Sequence, residues 1–420
     1  MRIFLSHLGC KLNLAELEAF ARQFRAAGHR VVPALAEADV HVINSCTVTG
    51  EAASESRRRL RRSRREHPQV RTVLTGCYAS AGSASGSLSP EADLVVPNHQ
   101  KQRLVSLVEA AFSSQAVEDA VDPQLPYLPF AASHARATVK IGDGCDHRCA
   151  FCIIPSTRGR EWSRPAEEVV EEVRGLVAGG YREVVLTGVQ ISDWHEAGRK
   201  LSDLVARLLG ETAVERLRLT SVAPWNFDSR LLALFADRRL CRHLHLSLQS
   251  GCSATLRRMR RPYTAERYES LVAQITEQVP GIGLTTDVIV GFPGETAVEH
   301  RESLERVAAL PFARVHVFRY SPRPGTVAAA MPGAVTAAEA RARTAEMLEA
   351  AQLAQERFTA EQRGQVLPVL WETNENGAWQ GYSDNYLRVH TKSPGIARNH
   401  VTATRILGPV AGGAAGEVIP

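Results

Sequence analysis

The chain has 420 residues, a formal net charge of +5, 44% apolar residues and 23% charged residues. This length exceeds that of one compact domain, and the composition is that of an ordinary globular protein. No apolar run approaches the length of a membrane span, and the start lacks the apolar stretch of a signal peptide. Eight cysteines in a chain of this size indicate a reducing, cytoplasmic compartment and metal chemistry rather than disulfides.

Residues 1–112 alternate strand-like and helix-like patterns, which predict a small parallel α/β domain with helices on both faces of its sheet. The predicted strands are Arg2–Leu8, Val40–Asn44, Val70–Thr75 and Leu94–Val96. The predicted helices are Ala15–Ala27, Gly50–His67 and Gln102–Phe112.

Three cysteines of this region, Cys10, Cys46 and Cys77, each follow a predicted strand, and we call them the auxiliary cysteines. In parallel sheets the carboxyl ends of the strands meet at one edge, where ligands bind. The alternative is three separate buried thiols. Because all three stand at turn-like junctions and not inside apolar runs, we favour one metal cluster held by the three.

Seven arginines in nine positions distinguish residues 57–65, within the second predicted helix. Such a density creates a strong positive potential, and phosphate contacts dominate the affinity of proteins for nucleic acids. The segment also begins soon after Cys46. We therefore predict that it contacts RNA, with a purely solvated face as the alternative; the candidate residues are Arg58, Arg61, Arg62 and Arg65.

Residues 113–135 are rich in Ala, Ser, Pro and Asp without a clear period, and they predict a linker. Over residues 136–335 the alternation resumes six times. The predicted strands are Thr138–Ile141, Glu183–Gly188, Arg216–Val222, His243–Gln249, Leu284–Gly291 and Arg314–Tyr320, and the helices between them include Ala166–Ala178, Leu201–Leu209 and Ala265–Gln278. Six parallel strands with crossover helices predict an open partial barrel whose function lies at the carboxyl ends of the strands.

The loop after the first of these strands carries Cys145, Cys149 and Cys152, which we call the loop cysteines, with Phe151 just before the last. Three thiolates hold three irons of a 4Fe–4S cluster and leave the fourth iron open to a small molecule. A structural zinc site is the alternative, but it needs a fourth ligand at matched spacing, and His147 is poorly placed for that. The spacing therefore favours an open cluster.

A helix-forming stretch over residues 336–363 leads to short β-like segments over residues 364–420. These segments are Val366–Glu372, Ala378–Tyr382, Tyr386–His390 and His400–Ile406. Together they predict a small OB-like β-barrel, a type that commonly binds nucleic acid. We expect this barrel and the arginine-rich helix to grip RNA on either side of the active-site mouth, with Tyr382 and Tyr386 stacking on bases. A sheet that only caps the enzyme is the alternative.

Short motifs link these regions to one family. They are Gly-Cys-Lys-Leu-Asn at 9–13, Asn-Ser-Cys-Thr-Val-Thr at 44–49, Thr-Gly-Cys-Tyr-Ala at 75–79, the loop cysteines with Ser163-Arg164-Pro165, Leu-Ser-Leu-Gln-Ser-Gly at 246–251, Asp-Val-Ile-Val-Gly-Phe-Pro-Gly-Glu-Thr at 287–296 and Gly-Tyr-Ser-Asp-Asn-Tyr at 381–386. In this order they resemble the N-terminal domain, the radical SAM (S-adenosylmethionine) core and the C-terminal TRAM domain of the radical SAM methylthiotransferases, over essentially the whole chain.

The resemblance implies two 4Fe–4S clusters and SAM as cofactors. The cluster of the loop cysteines would bind SAM and cleave it to methionine and a 5′-deoxyadenosyl radical, which would take hydrogen from C2 of an adenine. The cluster of the auxiliary cysteines would supply the methylated sulfur. The implied SAM-contacting residues, each of which is alternatively ordinary strand-end structure, are Phe151, Thr187, Gly188, Gln190, Ser221, Gln249, Ser250 and Gly291.

Gly-Cys-Lys-x-Asn and the arginine-rich helix look most like the MtaB-type branch, which methylthiolates N6-threonylcarbamoyladenosine next to the tRNA anticodon. Two other branches act on N6-isopentenyladenosine in tRNA and on an aspartate of a ribosomal protein. The implied partners are tRNA, a flavodoxin- or ferredoxin-like electron donor and a sulfur donor, and neither DNA nor a membrane is expected. A non-enzymatic iron–sulfur RNA-binding protein is a further alternative, against which the open cluster motif argues. The remaining Cys241 and Cys252 lack metal-like spacing and are expected to be structural.

Overall fold

A computed structural model describes residues 1–84, 91–112 and 135–419. The predicted linker lies outside these residues except for Ala135. None of the described helices is long and apolar enough to cross a membrane. The described residues divide into two compact units: the first falls within Met1–Ser133, Gly142–His147 and Cys152–Trp162, and the second within His134–Ile141, Arg148–Phe151 and Ser163–Pro420.

The first unit contains a five-stranded parallel sheet in the order β2-β1-β3-β4-β5. The strands are β1 (Arg2–His7), β2 (Arg30–Val31), β3 (Val40–Ser45), β4 (Arg71–Gly76) and β5 (Leu94–Val96). The helices are α1 (Lys11–Ala26), α2 (Gly50–Glu66), α3 (Cys77–Ala84), α4 (Leu104–Phe112) and α5 (Ile154–Arg158), with short 3-10 helices at Leu35–Glu37 and Asn98–Arg103. The predicted small parallel α/β domain is confirmed.

Local chemistry explains how these elements begin. Strand β3 is buried along its whole length, as expected when helices cover both faces of a parallel sheet. Helix α1 begins at Lys11, before its predicted start, because the chain enters the helix directly after the extended residue Cys10. Helix α2 begins where predicted, and the side chain of Thr49 accepts a hydrogen bond from the backbone N–H of Ala52 at its start.

The second unit contains six parallel strands, their helices and a small barrel. The strands are β6 (Arg136–Lys140), β7 (Glu183–Thr187), β8 (Arg216–Leu219), β9 (His243–His245), β10 (Gly283–Val290) and β11 (Phe312–Arg319). The helices are α6 (Ala166–Ala178), α7 (Leu201–Glu211), α8 (Arg230–Leu234), α9 (Ser253–Arg258), α10 (Ala265–Gln278) and α11 (Ala297–Ala309). Short 3-10 helices lie at Ile191–Asp193, Pro224–Asn226 and Val327–Ala330.

These six strands form the predicted open partial barrel. Two three-stranded sheets, β8-β7-β6 and β9-β10-β11, are joined by parallel bridges from Leu217 to Leu240 and from Val222 to Leu246. The chain therefore visits the strands in spatial order. Strands β8 and β9 end earlier than predicted, so the residues that follow them belong to loops at the carboxyl edge.

A closed five-stranded barrel follows helix α12 (Ala337–Glu361). Its strands are β12 (Val366–Glu375), β13 (Ala378–Ser383), β14 (Arg388–Thr391), β15 (Val401–Val410) and β16 (Gly413–Val418), in the spatial order β12-β13-β14-β16-β15 around a fully buried Trp371. The sequence predicted only four strands. It missed β16 because Gly-Ala-Ala-Gly-Glu-Val contains a single β-branched residue and no aromatic one.

The barrel docks at the amino-terminal ends of the six strands. Arg216, the first residue of β8, donates hydrogen bonds to the carbonyl oxygens of Pro368 at 3.0 Å and Tyr382 at 3.1 Å. Arg218 on the same strand donates to the carbonyl oxygen of Asp384 at 2.9 Å. Both guanidinium groups are buried and therefore need these partners.

Two further contacts strengthen this docking. Glu183, at the start of β7, accepts from Nε of Arg216 and Nε of Arg218, each at 2.7 Å, and although burial opposes it, the two arginines hold the pKa of Glu183 far below its usual range. At the start of β10, a Cβ on Gly283 would lie 1.9 Å from the carbonyl oxygen of Asn385. The barrel therefore lies at the amino-terminal ends of the six strands, whereas the sequence predicts the active site at their carboxyl ends.

Candidate active site

The auxiliary cysteines lie at one edge of the sheet in the first unit. Strands β1, β3 and β4 are neighbours, and Ser45 pairs with Gly76 in the parallel register. Cys46 and Cys77 are the next residues on those two strands, and Cys10 follows the end of β1. The predicted convergence of the three cysteines is what the topology produces.

Glycines beside these cysteines allow the close approach. Gly9 has φ +90°, and a Cβ there would lie 2.6 Å from Sγ of Cys46. Gly76 has φ +98°, and a Cβ there would lie 2.2 Å from the carbonyl oxygen of Ser45. A side chain at either position would strain the backbone and force the cysteine-bearing segments apart.

The three auxiliary thiols lie close enough for their charges to interact. Burial raises the pKa of Cys46 to about 11, and the neighbouring thiols of Cys77 and Cys10 contribute to the rise, while Arg158 opposes it. Bound irons would stabilise three thiolates that otherwise repel one another. No group of three or more His, Cys, Asp or Glu side chains surrounds a single metal-ion position among the residues described. A 4Fe–4S cluster instead takes one thiolate on each of three irons, and the donor set fits that arrangement.

Sequence reasoning missed Arg158 as part of this site. Its side chain is 1% exposed, and its Nε donates a hydrogen bond to Sγ of Cys77 at 3.2 Å. Asn98 also points an amide nitrogen at this sulfur, at 3.9 Å. The one feature of the sequence that could have indicated Arg158 is its position, since it is the last residue of the short helix α5, which follows the loop cysteines.

The loop cysteines are half-buried, and the chain divides between the two units within their loop. In the first unit, the backbone N–H of Cys145 donates to the carbonyl oxygen of Gly159 at 3.2 Å. In the second unit, the backbone of Ala150 donates to Met259 at 2.9 Å and accepts from Ala328 at 2.8 Å. Backbone hydrogen bonds thus hold both parts of the loop in place.

Arg261 is a second residue that sequence reasoning missed. Its Nη1 donates to Sγ of Cys149 at 3.5 Å. Its guanidinium carbon lies 5.6 Å from the ring centroid of Phe151, 5.0 Å from that of Trp225 and 6.0 Å from that of Tyr263. An aromatic surround of this kind holds the cation beside the sulfur of Cys149.

The residues after β7, which the sequence predicts to contact SAM, include one buried polar group without a partner among the described residues. Nε2 of Gln190 is buried and has no hydrogen-bond partner in the part of the chain that the structure describes. An unpaired buried donor costs about 1–3 kcal/mol, so it suits a ligand that accepts a hydrogen bond. Thr187 ends β7 and is buried, and its hydroxyl accepts from Thr220 at 3.5 Å, with Gly188 next in the chain.

Strained backbone marks the other strand ends. Ser221 and Gln249 have φ of +24° and +67°, values that residues other than glycine rarely adopt and that cluster at functional sites. Backbone hydrogen bonds to Asp287 at 2.8 Å and from Ile289 at 2.9 Å fix Gln249 there. Ser250 is buried beside it, and its hydroxyl accepts from the backbone N–H of Cys252 at 3.2 Å.

Gly291 has a local reason to be glycine. Its φ is +75°, and a Cβ there would lie 3.2 Å from Cβ of Ala340 on helix α12. The close approach at this position is therefore made by α12. The remaining cysteines, Cys241 and Cys252, are both buried, as expected of packing residues.

The arginine-rich helix α2 turns its charge outward. Its buried residues are Ala53, Ser56, Leu60 and Ser63. An open groove of about 600 Å³ runs along the outer face, and its lining includes the four arginines predicted to bind RNA, which are 77%, 66%, 69% and 77% exposed in chain order. Each of the four pairs with a surface glutamate, Glu55, Glu66 or Glu91. Exposed pairs of this kind are worth about 0–1 kcal/mol.

Tyr382 and Tyr386, predicted to stack on RNA bases, stack within the second unit. Their ring centroids lie 4.9 Å apart, and the ring of His243 stacks on Tyr386 at 4.4 Å. The guanidinium carbon of Arg136 lies 4.8 Å from the Tyr382 centroid, and that of Arg218 lies 5.0 Å from the Tyr386 centroid. These contacts between the two tyrosine rings and side chains of the strands stabilise the docked position of the barrel.

Two family descriptions match the chain, "Radical SAM superfamily" over residues 139–307 and "Uncharacterized protein family UPF0004" over residues 2–97. Threonylcarbamoyladenosine tRNA methylthiotransferase MtaB of Bacillus subtilis (strain 168) is 33% identical over 420 residues, which cover 95% of this chain and 92% of that protein. The tRNA-2-methylthio-N(6)-dimethylallyladenosine synthase of Frankia alni is 36% identical over 389 residues, which cover 88% and 78%. The structure of the radical S-adenosylmethionine methyltransferase TsrM from Kitasatospora setae has a TM-score of 0.55 at 17% identity, covering 76% of this chain and 72% of that one, and shows a shared fold.

The matches reach nearly the full length of this chain and of the Bacillus protein. They identify an enzyme that transfers a sulfur-containing group to tRNA and uses SAM and 4Fe–4S clusters, one in the radical SAM core and a second that methylthiotransferases carry. The alternatives of a ribosomal-protein substrate and of a non-enzymatic RNA-binding role are thereby set aside. The chain belongs to the family of radical SAM tRNA methylthiotransferases.

Proposed function

We propose that the enzyme methylthiolates C2 of N6-threonylcarbamoyladenosine next to the anticodon of tRNA. The Gly-Cys-Lys-Leu-Asn motif at 9–13 carries this choice of substrate, because it is the signature of that branch. Relatives named for threonylcarbamoyladenosine that are 33% identical over 95% and 90% of the chain support it. Within that motif, Nδ2 of Asn13 donates hydrogen bonds to the carbonyl oxygens of Leu8 at 2.7 Å and Ser45 at 3.1 Å. These bonds stabilise the turn that leads to Cys10.

Six cysteines hold the two clusters in this proposal. The loop cysteines bind the cluster that supplies the electron for SAM cleavage, and the auxiliary cysteines bind the cluster that supplies sulfur. Arg261 neutralises charge at Cys149, and Arg158 does the same at Cys77. A cation that donates a hydrogen bond to a ligating sulfur offsets part of the negative charge of an iron–sulfur cluster.

The strand ends orient SAM in this proposal. The buried amide of Gln190 donates a hydrogen bond to an oxygen of SAM, and Thr187 and Gly188 line the site beside it. Ser221, Gln249 and Ser250 lie at the next strand ends and contact the rest of the molecule. Because Gln190 is neutral, it orients SAM by a hydrogen bond and forms no charge pair with the SAM amine.

Helix α2 supplies the phosphate contacts. The net charge of the barrel is zero, since residues 364–420 contain four Lys or Arg and four Asp or Glu. We therefore assign the salt-sensitive part of tRNA binding to the arginines of α2 and only uncharged or local contacts to the barrel. The electron donor in this proposal is a flavodoxin- or ferredoxin-like protein, and a separate sulfur donor restores the sulfur that each turnover consumes.

A second candidate substrate is N6-dimethylallyladenosine, which is another name for the nucleoside N6-isopentenyladenosine. The observation in its favour is the 36% identity to the Frankia synthase named for it. The two candidates differ in what the site must accept, because the threonylcarbamoyl group carries a carboxylate and the dimethylallyl group is apolar.

Nucleoside mass spectrometry of tRNA distinguishes the candidates. Cells that lack this protein should lose the 2-methylthio form of N6-threonylcarbamoyladenosine and regain it when the intact gene is returned. A gene in which the loop cysteines are replaced by Ala should not restore it. Loss of the 2-methylthio form of the dimethylallyl nucleoside alone would transfer the assignment to the second candidate.

A further inference from the structure

Arg158 is a buried cation with several partners in the first unit. Its Nε donates to Sγ of Cys77 at 3.2 Å, and its Nη1 donates to Asp143 at 2.9 Å and Glu16 at 2.9 Å. Its Nη2 donates to Oδ1 of Asn13 at 2.7 Å. Burying a guanidinium is expensive, so a network this complete holds Arg158 against the sulfur in one orientation.

Arg158 also connects the segments beside Cys145 and Cys152 to an auxiliary cysteine. It ends helix α5, which begins two residues after Cys152, and its partner Asp143 stands two residues before Cys145. The guanidinium therefore binds the segment before Cys145 through Asp143, and it binds Cys77 of the auxiliary cysteines. All of these atoms belong to the first unit.

The charges around Arg158 are arranged in a buried chain. Glu16 also pairs with the ammonium of Lys101 at 2.5 Å, and Lys101 donates to Asn44 at 3.1 Å. The two cations balance the two carboxylates, Glu16 and Asp143. Of these two cations, Arg158 is the one that donates a hydrogen bond to Sγ of Cys77. Its charge therefore acts directly on any cluster that Cys77 ligates.

We propose that Arg158 is a positioning residue that raises the reduction potential of the auxiliary cluster and fixes the loop of Cys145 and Cys152 to that cluster's site. Reduction adds negative charge to a cluster, and hydrogen bonds and positive charge at its sulfur ligands favour the reduced form. The inference rests on the proposed assignment of the auxiliary cysteines as cluster ligands. It is independent of which adenosine is the substrate.

A redox titration tests this in full-length protein. The parent is the variant with the loop cysteines replaced by Ala, so that its remaining iron belongs to the auxiliary cluster. At a fixed potential, Arg158→Gln should lower the ratio of reduced to oxidised cluster at least tenfold, a shift of about 59 mV for one electron. Arg160→Gln is the matched control, because Arg160 lies on the same segment with its side chain 92% exposed, and it should leave the potential unchanged. Equal potentials in the Arg158 and Arg160 variants would overturn the proposal.

A second variant covers the case in which Arg158→Gln cannot fold or hold iron. Asp143→Asn removes a carboxylate beside Arg158 and leaves the arginine charged, so it should shift the potential in the opposite direction. An unchanged potential in Asp143→Asn would count against the proposal. Failure of the parent to retain about four irons would instead refute the assignment of the auxiliary cysteines.

Discussion

Replacing Arg58, Arg61, Arg62 and Arg65 with Ala should weaken tRNA binding and flatten its dependence on salt. The four side chains line the outer face of α2 and make only surface ion pairs. Each pair contributes about 0–1 kcal/mol, and Ala is the best helix former, so the fold should be retained. The perturbation therefore removes charge and leaves the framework of the site intact.

The expected magnitude follows from counterion release. Each phosphate contact contributes about 0.7–0.9 to the slope of log K against log salt concentration. Four lost contacts should make the slope less negative by about 3. Cleavage of SAM without tRNA should stay near the level of the unaltered enzyme, because the helix turns these side chains away from the auxiliary cysteines.

Filter binding or fluorescence anisotropy at several salt concentrations measures the slope. A matched control replaces Arg174, Arg182, Arg207 and Arg230 with Ala, since these also make exterior ion pairs and change the net charge equally. The control should retain the slope of the unaltered enzyme. If both variants had the same slope, net charge rather than the α2 surface would govern binding, and the reasoning would be refuted.

Iron and sulfide should approach about eight each per chain after anaerobic reconstitution and about four when the loop cysteines are Ala, whereas zinc in either site would contradict the assignment. Replacing an auxiliary cysteine should spare SAM cleavage to 5′-deoxyadenosine but abolish sulfur insertion, and replacing a loop cysteine should abolish both; an equal loss of cleavage in the two groups would refute this division. Gly9→Ala should lose the auxiliary iron because a Cβ there meets Sγ of Cys46 at 2.6 Å, whereas Gly28→Ala, with a similar φ and open space around it, should keep that iron. Burial is the main cause that lowers the pKa of His41 from 6.5 to about 3, so the unfolded chain binds a proton that the folded protein excludes. Stability should therefore be intact above pH 6.5 and fall by up to about 4–5 kcal/mol towards pH 3, and urea midpoints for His41→Gln should depend less steeply on pH over that window.

Much of the architecture could be predicted because its signals are local. Alternating apolar strands and periodic helices were sufficient for the α/β unit and the six-stranded partial barrel. Element ends were less predictable: α1 begins at Lys11, and β9 stops at His245, since backbone geometry at those ends depends on neighbours in space. Strand β16 escaped prediction because its pairing with β14 and β15 compensates for weak local propensity.

The tertiary structure assigned roles that spacing could not. Arg158 and Arg261 are single arginines in an arginine-rich chain, and only folding brings one against Cys77 and the other against Cys149. Tyr382 and Tyr386 have the composition of a stacking platform, yet their rings pack on each other and on His243.

By itself, the sequence predicted the chemistry of this enzyme, because three closely spaced cysteines in one loop and three at neighbouring strand ends of a parallel sheet are donor sets that suit two 4Fe–4S clusters. It did not determine where the barrel lies. That position depends on a desolvated group of charges. Arg216 and Arg218 both pair with Glu183, and they donate their remaining N–H groups to carbonyl oxygens of the barrel at the amino-terminal strand ends. Buried charge is stable only where every partner is in reach, and that condition is a property of the assembled fold.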